Sequence, residues 1–177
     1  RASLLTGLRR RLKTGAALVA TGTVCVAVWY SALTQPDGKV HVWFLDIGHG
    51  HAVLVQSPRG AQILIDGGPN PSRLRQAVGD ALPAWDRALD LVIVTQPTSS
   101  AIGALPALLA HYETGLVATN GQTLDSQEAR VLGDRLAGKG IPTLALAAGQ
   151  QIVTDDGLAI DVLHPPGVPA DHDDPDD

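Results

Sequence analysis

The residues best placed to do chemistry are His49, His51, Asp46 and Asp66, with a polar loop at Thr95–Ala101. His49-Gly50-His51 carries two imidazoles one residue apart in a turn. Asp66 follows the apolar run Gln62–Ile65, and His164 stands in Leu-His-Pro-Pro. Imidazoles and carboxylates that converge from several loops are what a two-metal hydrolase needs. They hold cations ~3.5–4 Å apart, which activate water and clamp the leaving oxygens. The Thr95–Ala101 loop works against that chemistry. Gln96, Thr98, Ser99, Ser100 and Ala101 offer neutral donors or none, whereas zinc is held by Cys, His, Asp and Glu.

Two functional readings follow. In one the loop has lost its metal chemistry. In the other a site is rebuilt from His49, His51 and Asp66, with His164 facing the same mouth and Zn or Mn as the cation. Each residue also has a plainer reading. His49 and His51 can be exposed turn residues, and His-Pro at 164–165 can end a strand. Asp66-Gly67-Gly68 reads as a turn whose aspartate bonds its own backbone two residues on, and Asp46-Ile47-Gly48 reads likewise. His41 and His111 read as surface or packing residues. No Ser-His-Asp order, phosphate loop or Cys-x-x-Cys is present. Gly48-His49-Gly50 is too short for a dinucleotide fingerprint.

The elements that must position these residues are short. Val40–Leu45 and Ala52–Gln56 read as strands around the His49/His51 turn, and Ser57–Gly60 as a turn before the strand Gln62–Ile65. Pro71–Leu82 reads as a helix, with Pro71 near its start and Leu74, Val78 and Leu82 on one face. Leu89–Val94 is a continuous apolar strand of the kind buried on both faces. Ile102–Tyr112 reads as a helix, Leu116–Ala118 as a strand, and Ser126–Ala137 as a helix ended by Gly138 and Gly140. Thr143–Leu146, Gln151–Val153 and Leu158–Leu163 complete the strands. Strands mixed with helices predict an α/β layered domain.

Three segments at this spacing carry a resemblance: VHVWFLDIGHGHAVLV at Val40–Val55, QILIDGG at Gln62–Gly68, and the strand, Thr-x-Pro loop and helix start at Leu91–Leu105. Over roughly Lys39 to Pro166 the chain resembles the C-terminal metallo-β-lactamase-like domain of the ComEC-type competence proteins. That resemblance implies a metallo-β-lactamase-like layered sheet and helix domain (partial), following membrane helices in a protein that takes up single-stranded DNA. In the family, residues 95–104 read Thr-His-Pro-Asp-x-Asp-His-Ile-Gly-Gly. Here Gln96 and Ala101 replace the two histidines, and Thr98 and Ser100 replace the two aspartates. The family's Gly-Gln-Gly-Asp turn is Gly48-His49-Gly50-His51. Asp46 and Asp66 match.

Composition narrows the choice of partners. From Gly38 onward 17 acidic residues face 8 basic ones, a net of −9. Such a surface repels phosphate backbones and lacks the footprint of a general DNA binder. Arg73 and Arg75 read as a solvated helix face. The single cysteine, Cys25, excludes an internal disulfide. Gly15–Leu33 carries no charge, approaches the ~20 residues of a bilayer span, has Trp29 and Tyr30 near one end, and follows Arg9, Arg10, Arg11 and Lys13. The positive-inside rule puts the basic end in the cytoplasm. A signal peptide and a buried core helix are the alternatives.

The expected organisation is a basic cytoplasmic flank at 1–14, a transmembrane helix at 15–33 and a linker at 34–38. The metallo-β-lactamase-like domain follows at 39–166, then an acidic loop or fragment end at 167–177. The expected function is that of the C-terminal part of a ComEC-like protein at the bacterial cytoplasmic membrane, its globular domain outside. That domain is expected to be a pseudoenzyme without a cofactor, acting as scaffold or substrate guide. Its expected partners are the membrane, the rest of its channel bundle, single-stranded DNA by resemblance, and other competence proteins. The alternatives are a metal-dependent phosphodiesterase or nuclease with the rebuilt site, and a membrane-anchored extracytoplasmic domain unrelated to DNA.

Overall fold

The computed structural model describes residues 2–33, 36–122 and 126–165. The chain divides into two compact units, residues 1–35 and 36–177. The first is one helix, α1 (Ala2–Leu33). Its described side chains, at residues 15–30, are all exposed. Thr21 and Thr23 donate their hydroxyls to the carbonyls of Ala17 (2.9 Å) and Val19 (3.0 Å), one turn back. This is how hydroxyls are satisfied without water. The expected transmembrane span at 15–33 is not shown. A helix forms there, but among the described residues none is long and apolar enough to cross a membrane. Gly15, Thr21, Gly22 and Thr23 dilute the apolar stretch of α1.

The second unit is built on a six-stranded sheet whose strand order follows the sequence: β1 (His41–Phe44), β2 (Val53–Gln56), β3 (Gln62–Ile65), β4 (Ala88–Val94), β5 (Glu113–Thr119) and β6 (Thr143–Ala145). β1, β2 and β3 pair antiparallel, whereas β3, β4, β5 and β6 run parallel. The parallel pairs are joined through helices, as parallel connections require. These are α2 (Pro71–Ala81), the single turns α3 (Ser99–Ile102) and α4 (Leu105–Leu108), and α5 (Gln127–Lys139).

The strands β2 to β5 bury residues on two faces. Leu54, Leu64, Val92 and Val117 pack with Leu74 and Val78 of α2, Leu105 and Leu108 of α4, and Leu132 and Leu136 of α5. On the opposite face Val55, Ile63, Leu91 and Ala118 meet Ile152, Ile160 and Val162. Those last residues belong to a two-stranded sheet, β7 (Gln151–Val153) with β8 (Ala159–Asp161), and to its continuation. The domain is therefore an α/β layered one: helices, mixed sheet, small sheet. Two-sided burial explains why β3 and β4 read as unbroken apolar runs. Asp156 fastens the small sheet by accepting from the Arg59 amide at 2.7 Å. Hydrogen bonds from Ser57 and Thr154 hold its carboxyl well below the usual carboxylate range.

Local chemistry sets the helix ends. Asn70 caps α2 by accepting from the amides of Ser72 and Arg73, both at 3.1 Å, with Pro71 at the first position. Ser126 caps α5 by accepting from Ala129, and left-handed Gly140 closes it. One expectation fails. The helix read at Ile102–Tyr112 is two single turns, α3 and α4. The Ala104 amide donates to Gly68 O (2.8 Å) rather than up its own turn, and Pro106 has no amide to donate. The expected acidic loop at 167–177 lies outside the described residues.

Candidate functional site

Three loops meet where β3 and β4 end: the His49/His51 turn, Asp66-Gly67-Gly68, and Thr95–Ala101. Asp66 is the hinge of the arrangement. It is 6% exposed and sits in the left-handed region at φ 55°. One carboxylate oxygen accepts from the Thr95 amide at 2.8 Å and the other from the Thr95 hydroxyl at 2.5 Å. The local turn expected for Asp66 is thus replaced by a clamp on a loop 29 residues away. Burial raises its pKa above the ordinary value of 3.8, opposed by the two Thr95 bonds and by His51. Asp46, in contrast, forms the local turn expected of it, accepting from Gly48 N at 3.3 Å.

The glycines after Asp66 complete the clamp. The amides of Gly67 and Gly68 donate to Ala101 O at 2.7 and 3.1 Å, and Gly68 O accepts from Ala104. Gly68 has φ +68°, and a Cβ there would lie 2.2 Å from Ile47 Cδ1. From across the seam Gly50, at φ +79°, brings the histidine turn against Ser100. A Cβ on it would lie 2.3 Å from Ser100 O. The strand, loop and helix frame is therefore held by backbone bonds and by close approaches that only glycine permits.

The structure places the loop residues individually. Gln96 is exposed beside a cleft. The Thr98 and Ser100 hydroxyls bond each other at 3.0 Å. Ala101 is 7% exposed and belongs to the apolar core. His49 and His51 are both exposed. His51 lies near enough to Asp66 to lower its pKa, and each Asp66 oxygen accepts one bond from Thr95. Among the described residues no three or more His, Cys, Asp or Glu side chains form a group that could hold a metal ion. His164 stands apart from the histidine turn, on the rim of the cleft with Thr95 and Gln96.

That cleft, about 700 Å³, opens at the carboxyl ends of β3, β4 and β5, between the main sheet and the β7–β8 sheet. Its floor is apolar, from Ile65, Ile93, Leu146, Ile152 and Ile160. Its rim is polar and mostly neutral: Thr95, Gln96, Thr119, Asn120 and Gln122, with His164 and Asp161. The end of a parallel sheet is where ligands of open α/β proteins bind. The chain is similar to metallo-β-lactamases. The Cronobacter sakazakii metallo-β-lactamase with the HARLDQ motif matches at 16% identity and TM-score 0.45, over 71% of this chain and 52% of that one. A mutant of it matches at 17% and 0.44, over 64% and 47%. A metallo-β-lactamase from Hirschia baltica matches at 17% and 0.36, over 68% and 52%. The chain spans about half the length of each. No family model matches it, and no curated protein does.

Two contacts of the site escape a reading of the sequence. Thr95 is the partner of Asp66, and Asn120 donates its side-chain amide to Thr95 O at 2.9 Å, tying β5 to the loop. The available signal was positional: each is a polar residue directly after a buried parallel strand.

Proposed function

We propose that this is the metallo-β-lactamase-like domain of a ComEC-type DNA-uptake protein, retained as a scaffold after loss of metal chemistry. The observation that carries this reading is the occupancy of the loop. Its frame is intact from Asp66 to Ala104, yet the positions that would present ligands hold a neutral amide, two mutually bonded hydroxyls and a core alanine. Such a donor set does not fit a dinuclear centre, so no catalytic step is assigned to it. Asp66 is consistent with this. It clamps Thr95, a structural task that outlasts any chemistry.

The acidic surface favours a scaffold over a domain that grips DNA, because each phosphate would meet like charge. We further propose that α1 tethers the domain to apolar surroundings at the cytoplasmic membrane. Leu18, Val19, Val26 and Trp29 are each about 70% exposed, and the helix satisfies its own threonine hydroxyls. A nuclease assay on single- and double-stranded DNA in Mn²⁺ and in Zn²⁺ tests the scaffold reading. The expected result is no cleavage above a metal-only blank. Cleavage that His51→Ala removes would establish the rebuilt site instead. The nearness of His51 to Asp66 is the one observation in favour of that second reading.

A further inference from the structure

A second opening lies away from the cleft at the strand ends. It is a groove of about 550 Å³ between β1 and α2, a volume in the range of small-molecule sites. Its floor is apolar: Trp43, Leu45, Ala77 and Ala81 are half-buried and pack on the core beneath. The two alanines stand one turn apart on α2, and their small side chains leave the space open. The Trp43 ring is held in place. It stacks on His41 with ring centroids 5.5 Å apart, and His41 Nε2 donates to Asp37 at 2.9 Å.

The two ends of the groove carry opposite charge. Arg73 and Asp80 both line it from α2, seven residues and so ~10 Å apart along the helix axis. The Arg73 end lies against the Asp46–Gly48 turn. A Cβ on Gly48 would lie 3.1 Å from Arg73 Nη1 and 3.3 Å from its Cζ, so glycine leaves the guanidinium room to rest there. Among the described residues, neither Arg73 nor Asp80 spends its charged group on an ion pair or a hydrogen bond. Asp46, at the Arg73 end, accepts from the Gly48 amide at 3.3 Å.

We propose that this groove binds a small zwitterion, with its carboxylate at Arg73, its ammonium at Asp80 and an apolar chain between them over Trp43 and Ala77. Charge complementarity selects that class. A simple anion would meet the uncompensated charges of Asp80 and Asp46. A simple cation would leave Arg73 unpaired. A zwitterion as short as glycine cannot reach both ends.

Titration of the isotope-labelled full chain with ε-aminocaproate, in mild detergent, tests the proposal at the Trp43 indole resonance, assigned through Trp43→Phe. A saturable shift is expected at Trp43 and not at Trp85, which lies outside the groove. Hexylamine, caproate and glycine should each bind about three- to fivefold more weakly, the worth of one exposed ion pair. Arg73→Gln should bring ε-aminocaproate down to the affinity of hexylamine, and Asp80→Asn to that of caproate. Asp46→Asn should tighten binding by removing a like charge beside the carboxylate. Both end residues are exposed, so the circular dichroism melts of Arg73→Gln and Asp80→Asn should match wild type. A Trp43 signal that does not saturate overturns the proposal. So does hexylamine or caproate binding wild type as tightly as ε-aminocaproate, or an affinity that Arg73→Gln and Asp80→Asn leave unchanged.

Discussion

Asp66→Ala is expected to lower stability by about 3 kcal/mol, from lost bonds to a charged acceptor and from an alanine forced into the left-handed region. Roughly 10 °C in Tm follows for a domain of this size. The change strips the Thr95 amide and hydroxyl of their acceptor, leaving the loop held by backbone bonds and by Asn120. Asp66→Asn is the informative companion. Asparagine tolerates positive φ, keeps an acceptor for the Thr95 amide and gains a donor for the hydroxyl. It also removes a buried charge, so it should stay within about 1 kcal/mol of wild type. The two variants differ in pH dependence as well. Burial raises the folded pKa of Asp66 above 3.8, so the folded state holds that proton more tightly than the unfolded chain. The stability this confers is fully present below the unfolded pKa. It is lost as pH rises through the folded pKa, above the ordinary carboxylate value. Asp66→Asn should lack that decline. Thermal melts of the three proteins across this window check both claims.

Gly50→Ala is expected to cost about as much, and for another reason. At φ +79° an L side chain is already strained by ~1–2 kcal/mol. The added Cβ would lie 2.3 Å from Ser100 O and 3.1 Å from Pro69 Cδ. Neither neighbour is a flexible side-chain end, so the histidine turn or the loop must shift, and a total of about 3 kcal/mol is expected. Gly157→Ala separates strain from clash. Gly157 has φ +88° but nothing within 4 Å of its Cβ position, so only the conformational cost of ~1 kcal/mol remains. Denaturant midpoints of the two variants should differ severalfold in their displacement from wild type. Equal displacements would mean that the seam between the two loops is looser than described.

These residues also show how much the sequence discloses. The i, i+4, i+8 spacing of Leu74, Val78 and Leu82, with Pro71 near the start, marks α2 because that signal is local. β4 is legible at Leu89–Val94 because a strand buried on both faces needs a run of apolar residues. What is not legible is decided at long range. The break between α3 and α4 comes from Gly68, which diverts the Ala104 amide. The clamp on Thr95 comes from Asp66, 29 residues away, while the Asp-Gly-Gly pattern points to a self-contained turn. The strands at 151–153 and 158–163 show in the sequence as elements. That β7 and β8 form a separate sheet across the open face, and so wall a cleft, depends on Asp156 reaching the β2–β3 turn. The types of the loop residues are plain in the sequence. Their fates, with Ala101 in the core and Thr98 bonded to Ser100, are not.

The central claim is that the loop frame has outlived its metal chemistry. The most direct test is the stoichiometry of Zn²⁺ and Mn²⁺ bound by the purified full chain, measured by mass spectrometry after equilibrium dialysis. Far less than one equivalent of either ion is the result predicted. One or more tightly held equivalents, reduced by His49→Ala or His51→Ala in a protein that melts like wild type, would contradict it.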